Sequence, residues 1–193
     1  MSEKELCPIR AIKRKIFRRL AVVVIIVVIF GGFLVWLAVY FQNSEKNLPG
    51  VFYPSMGRNH IAAGTHDPNY NSNPPTSGNH YPQDAEWGVY DKELPDETLI
   101  HNLEHGGIWI SYKPGIPEDI RKKLEGFYKK WGNHIIVIPR LANDTDIALA
   151  AWTRLDKFSV QEYSDEQVEQ FIKAYRNKDS IPAFEPNISE AQR

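Results

Sequence analysis

The sequence predicts an α+β protein with one N-terminal transmembrane helix and a single extracytoplasmic domain. Two observations lead to this prediction. The run from Leu20 to Phe41 contains no charged residue, and after Pro95 the apolar pattern switches between helical and strand periodicity. The predicted order is loop, helix, strand, helix, strand, strand, helix. This order is typical of a small, mostly antiparallel sheet with about three helices packed against it.

The uncharged run over residues 20–41 is long enough to cross a hydrocarbon layer of about 30 Å as a helix. It has no polar face and is longer than the apolar core of a secretory signal peptide. It ends with Trp36, Tyr40 and Phe41, and aromatic side chains favour the membrane–water interface. We therefore predict an uncleaved transmembrane anchor rather than a buried soluble helix or a cleaved signal.

Charge is distributed unevenly about this anchor. Residues 1–19 hold seven basic and two acidic residues, whereas the rest of the chain holds 16 basic and 22 acidic ones. Positive charge favours the cytoplasmic side, so we expect a single-pass protein of the cell membrane with a cytoplasmic N-terminus and an extracellular or periplasmic C-terminal domain. The basic segment is expected to face lipid headgroups of the bilayer, not nucleic acid.

The only cysteine, Cys7, falls on the predicted cytoplasmic side. The outer domain therefore has neither a disulfide nor a thiolate ligand. Palmitoylation of a cysteine near a membrane is one alternative, but we favour an unmodified thiol, and the role of Cys7 stays open.

The predicted domain organisation has five parts. They are a basic segment (1–19), the transmembrane helix (20–41), a linker (42–50), the extracytoplasmic domain (51–178) and a flexible tail (179–193). Residues 51–95 are rich in Pro, Gly, Asn and His and show no regular period. Their aromatic residues argue against disorder, so we expect a long ordered loop on the domain.

The regular elements follow this loop. Asp96 is expected to cap a helix that ends near His105, with Gly106 as its stop, and Ser164 to cap the last helix, which ends near Tyr175. A helix is also predicted from Pro117 to about Trp131. The predicted strands are Ile108–Tyr112, His134–Pro139 and Ile147–Thr153.

Five of the six histidines lie between His60 and His105, and they make a metal site the leading functional hypothesis. His101 and His105 are four residues apart on the predicted helix, so both rings share one side with Glu104 next to them. The preceding loop adds His66 and His80. We predict a site formed by His80, His101 and His105 with His66 or Glu104. Without cysteine sulfur the candidate metals are zinc, copper(II), nickel and iron(II), of which copper or zinc is our expected cofactor.

Several alternatives remain open. His60 follows Met56 by four residues, and a thioether with imidazoles would suit copper. The string His101–His105 fits the H-x-x-E-H pattern of zinc peptidases, which would make Glu104 the base of a metal-dependent hydrolase. One histidine could instead cap helix carbonyls while the other packs in the core.

A third function is a non-catalytic module that is structural or binds a partner, with another membrane protein as a candidate. We favour a non-catalytic role over an enzyme. The sequence has no phosphate-binding loop, dinucleotide glycine motif or nucleophile elbow, so neither a nucleotide enzyme nor a serine hydrolase is predicted. We expect no nucleotide and no nucleic acid as a partner.

Two motifs in a fixed order carry a family resemblance. The sequence PPTSGNH ends at His80, and HNLEHGG begins at His101. Together, behind one membrane anchor, they resemble a bacterial family catalogued as domain of unknown function 3105, over about residues 50–175. The resemblance implies a bacterial, membrane-anchored, extracytoplasmic domain in which the two motifs act as one unit. It implies no activity.

Overall fold

The computed structural model describes residues 3–46 and 48–178, with no account of side chains before Phe17, at Arg18 or over residues 40–46. The chain divides into two compact units, Met1–Leu48 and Pro49–Arg193. The predicted flexible tail, residues 179–193, lies outside the described residues.

The first unit is a single helix, α1 (Glu3–Lys46). Its apolar part, Arg19–Val39, has none of its residues buried and is long and apolar enough to cross a membrane. Length and composition make it a candidate membrane span or signal sequence, and they agree with the predicted position of the apolar segment. The helix continues to Lys46 and so includes most of the predicted linker, residues 42–50.

The second unit is built on a six-stranded sheet. The strands are β1 (Val51–Phe52), β2 (Gly88–Val89), β3 (Ile108–Tyr112), β4 (Ile135–Pro139), β5 (Ile147–Ala151) and β6 (Arg154–Phe158), in the spatial order β1-β6-β5-β3-β4-β2. Three helices accompany them: α2 (Asp96–Glu104), α3 (Glu118–Trp131) and α4 (Asp165–Tyr175). The α+β class predicted from the sequence is confirmed.

The sheet is mixed, whereas the sequence predicted a mostly antiparallel one. β4 pairs in parallel with both β3 and β2, while β3–β5, β5–β6 and β1–β6 are antiparallel. The parallel pair β3–β4 follows from α3, since a helical crossover returns the chain to the same end of the sheet before the next strand begins.

Each face of the sheet supports its own apolar layer. Residues that alternate along the strands, such as Ile110 and Leu149, pack under α3 and α4. The intervening positions, such as Trp109 and Ala150, pack under α2 and the irregular segment. Coverage on both faces explains why β3, β4 and β5 are almost continuously apolar in the sequence.

The hairpin between β5 and β6 was missed by sequence reasoning. The strand predicted over Ile147–Thr153 stops at Ala151, and a two-residue turn leads into β6 at Arg154. Thr153 has a positive φ of 62°, and no glycine or asparagine marks the turn. β6 itself, with the sequence RLDKF, carries three charges in five residues, which masked its strand character.

The predicted helix caps need correction. Pro95 occupies the N-cap position of α2, so Asp96 lies inside the first turn and makes no capping bond. Its two carboxylate oxygens instead accept hydrogen bonds from Nε and Nη2 of Arg140, at 2.9 and 2.7 Å. Ser164 does occupy the N-cap position of α4, but its side chain makes no capping hydrogen bond.

The irregular segment between β1 and α2 is tied to the sheet by its main chain. The amide of Tyr53 donates to the carbonyl of Thr153 at 2.9 Å, and the amide of Thr153 donates to the carbonyl of Thr76 at 3.2 Å. Residues 74–78 of the PPTSGNH motif are buried. The segment therefore forms part of the domain's second core layer and positions the residues of the candidate site.

Candidate metal site

Two stretches of the irregular segment bring His60 and His80 side by side. They form an isolated parallel bridge, in which the amide of Ile61 donates to the carbonyl of His80 at 2.8 Å and the amide of His80 donates to the carbonyl of Asn59 at 3.0 Å. The ring centroids of His60 and His80 are 5.0 Å apart. Main-chain pairing thus places two imidazoles together although twenty positions separate them in the sequence.

Helix α2 approaches this bridge and adds His101. The amide of Tyr81 donates to the carbonyl of Glu97 at 3.1 Å, which joins the PPTSGNH motif to the first turn of α2. One turn further along, Nδ1 of His101 lies 2.6 Å from the carbonyl oxygen of Tyr81. The His101 ring packs 5.2 Å from that of His60 and 5.1 Å from that of His80.

The hydrogen bonds of the two buried rings determine which nitrogen is available. Nδ1 of His80 lies 2.8 Å from the carbonyl oxygen of Gly78, and Nδ1 of His101 faces the carbonyl of Tyr81 in the same way. A carbonyl oxygen only accepts, so both Nδ1 atoms carry hydrogen and both neutral rings present a lone pair at Nε2. A histidine that ligates a metal commonly makes this bond to a carbonyl through its other nitrogen.

The three histidines together could hold a metal ion. One ring nitrogen from each of His60, His80 and His101 lies within 4.8 Å of the other two. His80 is fully buried and His101 is 8% exposed, whereas His60 is exposed. The group therefore has two inner rings held by hydrogen bonds and one outer ring at the surface.

Glu104 stands next to this group with an unusual contact. Its Oε2 atom is 2.9 Å from Nε2 of His80. The two atoms are close but poorly aligned, and Nε2 of His80 is buried without a hydrogen-bond partner among the described residues. A lone pair this close to a carboxylate is unfavourable unless a proton or a cation lies between them.

Burial sets the charge of His80. It lowers the pKa of the ring below the ordinary value of 6.5, although the Gly78 carbonyl and the Glu104 carboxylate act in the opposite direction and His101 and His60 add to the lowering. We judge that burial dominates, because the contact with Glu104 lacks hydrogen-bond geometry. A neutral ring at neutral pH is the form that binds metal ions.

His105 extends the group toward solvent. Its Nε2 lies 2.9 Å from Nε2 of His101, and the two ring centroids are 4.8 Å apart. His105 is exposed and occupies the C-cap position of α2. The spacing of four residues noted in the sequence thus brings the two rings into contact.

The remaining residues of HNLEHGG explain the shape of this helix end. Asn102 is buried, and its amide clamps the main chain of Ala85 with two hydrogen bonds, at 2.9 and 2.8 Å. Gly106 has a positive φ of 73° just beyond the helix. A Cβ atom on Gly107 would lie 2.5 Å from the Asn102 carbonyl oxygen and 2.7 Å from Trp87. The motif therefore combines site residues with residues that end and anchor α2.

His66 lies outside the three-histidine group. Its Nδ1 is 2.7 Å from Oε1 of Glu97, and its side chain is 72% exposed while that of Glu97 is 4% exposed. Of the residues predicted from the sequence, the structure brings His80, His101, Glu104 and His105 together and leaves His66 with Glu97.

His60 is the site residue that the predicted ligand set omitted. The sequence offered one signal for it, a loop histidine four residues after Met56. Its approach to His80 depends on the main-chain bridge, and no short-range pattern in the sequence predicts that bridge. Arg58 lies nearby, with its guanidinium 3.8 Å from Glu104 and 5.1 Å from the centre of the Trp152 ring.

The chain matches a protein family over most of its length. Residues 62–192, well over half of the chain, match the family described as "Protein of unknown function (DUF3105)". The chain belongs to this family. The matched segment starts and ends later than the resemblance suggested and includes His80, Glu104, His101 and His105, while His60 precedes it. No curated protein and no solved structure matches the chain.

Proposed function

We propose that this member of the DUF3105 family is a membrane-anchored, extracytoplasmic protein that binds a transition-metal ion, copper(II) or zinc. The ligands are His60, His80 and His101, with Glu104 as an added ligand or as the acceptor of a ligand's proton. One observation carries the proposal: two buried rings donate through Nδ1 to main-chain carbonyls, which leaves their Nε2 lone pairs available beside the ring of His60.

The donor set supports this choice of metals. Neutral imidazole nitrogens suit zinc and copper(II), and the domain offers no thiolate. Two nitrogens bound to one such ion lie about 3.0–3.4 Å apart at tetrahedral or square angles, and about 4.2 Å apart when opposite. The observed limit of 4.8 Å exceeds the opposite arrangement by about 0.6 Å and the tetrahedral one by about 1.4 Å, and the exposed ring of His60 has room to move toward the two buried rings.

The test is the metal content of the full-length chain, purified in detergent without a polyhistidine tag. After incubation with zinc or copper(II) and desalting, mass spectrometry should find close to one ion per chain. His101→Ala and His80→Asn should each remove most of it. His66→Ala is the matched control and should keep the parental content, because His66 pairs with Glu97 instead.

Circular dichroism of every variant separates a lost ligand from a lost fold. Parental metal content in folded His101→Ala and His80→Asn would refute the site. A folded parent chain that retains neither ion would refute metal binding altogether.

A structural role is the second candidate, and the same hydrogen bonds favour it. The bond from His101 to the Tyr81 carbonyl joins the two family motifs without any metal. On this hypothesis the metal-free chain is fully stable and neither ion raises its melting temperature. The histidines then serve to hold the irregular segment on α2, and the domain acts as a partner-binding module, with another membrane protein as the proposed partner.

A metal-dependent hydrolase is the third candidate. It requires Glu104 to act as a base on a metal-bound water, and Glu104 does lie beside the histidines, 2.9 Å from His80. The H-x-x-E-H pattern, however, assigns both ligands to the helix, whereas the three-histidine group takes two of its members from the irregular segment. We therefore place Glu104 at the metal and prefer a binding role.

The proposed location rests on α1 and on charge. The apolar part of α1 is a candidate span, and the basic residues before it favour a cytoplasmic N-terminus. The metal site would then face the extracellular or periplasmic space.

A further inference from the structure

We infer that His105 is the entry and exit ligand of the metal site, and that His105 and His101 form an outer two-histidine site through which the ion is exchanged with solvent. This inference rests on the proposed metal binding and adds a route and a rate to it. The ligand that arrives or leaves is a hydrated or weakly chelated divalent ion.

The position of His101 lets it take part in two groups of histidines. One of its ring nitrogens lies within 4.8 Å of a ring nitrogen of His60 and of His80, and its Nε2 atom lies 2.9 Å from Nε2 of His105. The distance of 2.9 Å is close to the separation of two nitrogens on one ion, which is about 3.0–3.4 Å. His101 can therefore belong to an inner set with His60 and His80 and to an outer pair with His105.

The solvent exposure of the histidine rings increases from His80 through His101 to His105. His80 is fully buried, His101 is 8% exposed, and His105 is exposed at the C-cap of α2. Both inner rings are held by hydrogen bonds to main-chain carbonyls. An incoming ion would meet one of the two exposed rings, His60 or His105, first, and of these only His105 lies outside the three-histidine group while contacting His101.

The ring of His105 can move while the main chain beneath it stays in place. The main chain below it is fixed, because Gly106 and Gly107 turn the chain tightly and the amide of Gly107 donates to the Asn102 carbonyl at 2.8 Å. The exposed ring can therefore swing about its own side-chain bonds without disturbing the helix. Such movement allows His105 to bind an incoming ion and to transfer it to His101. On exit, His105 can bind the ion before an inner ligand releases it.

This arrangement predicts an effect on rates more than on affinity. A ligand that assists both entry and exit lowers the barrier in both directions and leaves the equilibrium nearly unchanged. His105 is thus expected to speed association and dissociation together, whereas loss of His101 removes the binding itself.

The experiment uses the full-length chain in detergent micelles and copper(II) as the probe. Stopped-flow quenching of tryptophan fluorescence follows association, since Trp152 contacts Arg58, which in turn lies near Glu104. Excess EDTA starts dissociation. His105→Ala should slow both rates by about tenfold and change Kd by less than about threefold. His66→Ala, another exposed histidine, should leave both rates at the parental values.

The outcomes are distinct. Parental rates in His105→Ala would overturn the inference and leave the metal site intact. A large rise in Kd with unchanged association would also overturn it, because His105 would then be a permanent ligand. A folded parent chain that binds neither copper(II) nor zinc would refute the proposed function itself. His105→Gln, checked by circular dichroism, provides a second variant if the alanine variant does not fold.

Discussion

At His80, the protein buries a titratable ring and uses its two nitrogens differently. Nδ1 donates to the Gly78 carbonyl at 2.8 Å, while Nε2 points toward His101, His60 and Glu104. Gly78 makes the first contact possible, because its φ of 124° is a conformation that other residues rarely adopt and because a Cβ atom would lie 3.0 Å from the Tyr70 ring. The glycine and the histidine of PPTSGNH therefore work as one unit.

The lowered pKa of His80 predicts acid sensitivity of the metal-free protein. In the unfolded chain the ring titrates near 6.5, and in the folded chain its pKa is lower. Below about pH 6.5 the unfolded state binds more protons, so the free energy of unfolding should fall as the pH is lowered from about 7.5 to 5.5. Urea unfolding in the presence of EDTA would measure this loss.

The matched variant for this prediction is His80→Asn, which cannot titrate but keeps a donor for the Gly78 carbonyl. Its free energy of unfolding should depend less on pH over the same range. Equal pH dependence in parent and variant would mean that His80 is not the group responsible. His66→Asn is the control at an exposed histidine, which pairs with Glu97.

Helix α2 shows how a motif can serve geometry and chemistry at once. Leu99 and Leu103 face the apolar layer, Asn102 clamps Ala85, and His101 faces the site. These roles fall on different sides of the helix because of its period of 3.6 residues. The helix must then stop at once, since β3 begins at Ile108.

Two glycine substitutions should change stability in opposite directions. Gly107→Ala places a methyl group against the Asn102 carbonyl and Trp87, and should lower the free energy of unfolding by about 1–3 kcal/mol. Gly126→Ala in α3 meets no atom within 4 Å and should raise it by about 0.5–1 kcal/mol. Urea unfolding of both variants checks the prediction. A neutral Gly107→Ala would show that the turn after α2 can relax.

For the whole molecule, metal binding should be coupled to folding. The ligands come from two stretches of the irregular segment and from α2, so they meet only in the folded domain. At a free ion concentration of about 100 times Kd, zinc should stabilise the folded state by about 2.7 kcal/mol. Thermal unfolding with and without zinc measures this gain, and His101→Ala should abolish it. An equal gain in His101→Ala would place the ion elsewhere.

Orientation in the membrane is testable through the single cysteine. If the N-terminus is cytoplasmic and uncleaved, an impermeant maleimide should not label Cys7 in intact spheroplasts and should label it after permeabilisation. In a Cys7→Ser background, Leu141→Cys, at a position that is 71% exposed in the second unit, should be labelled without permeabilisation. Labelling of Cys7 in intact spheroplasts would reverse the topology, and a purified chain that lacks Cys7 would identify α1 as a cleaved signal.

Local patterns in the sequence predicted much of the fold. The uncharged run, the helix that ends before Gly106, and the apolar strands β3, β4 and β5 all follow from short-range composition and period. The sequence did not reveal β6 or the parallel pairing of β2 with β4, because charged residues in β6 and the two-residue length of β2 leave little periodic signal.

The sequence by itself determined the types of group available for chemistry and the part of the site that lies within one helix. The contact of His101 with His105, the C-cap residue of α2, follows from their spacing of four residues, because residues four apart lie one turn apart on the same side of a helix. Only the tertiary structure decided that His60 joins them and that His66 turns to Glu97 instead. The physical reason is that main-chain hydrogen bonds between stretches about twenty residues apart, together with burial against the sheet, decide where these side chains lie. Neither of these two factors produces a periodic pattern in the sequence.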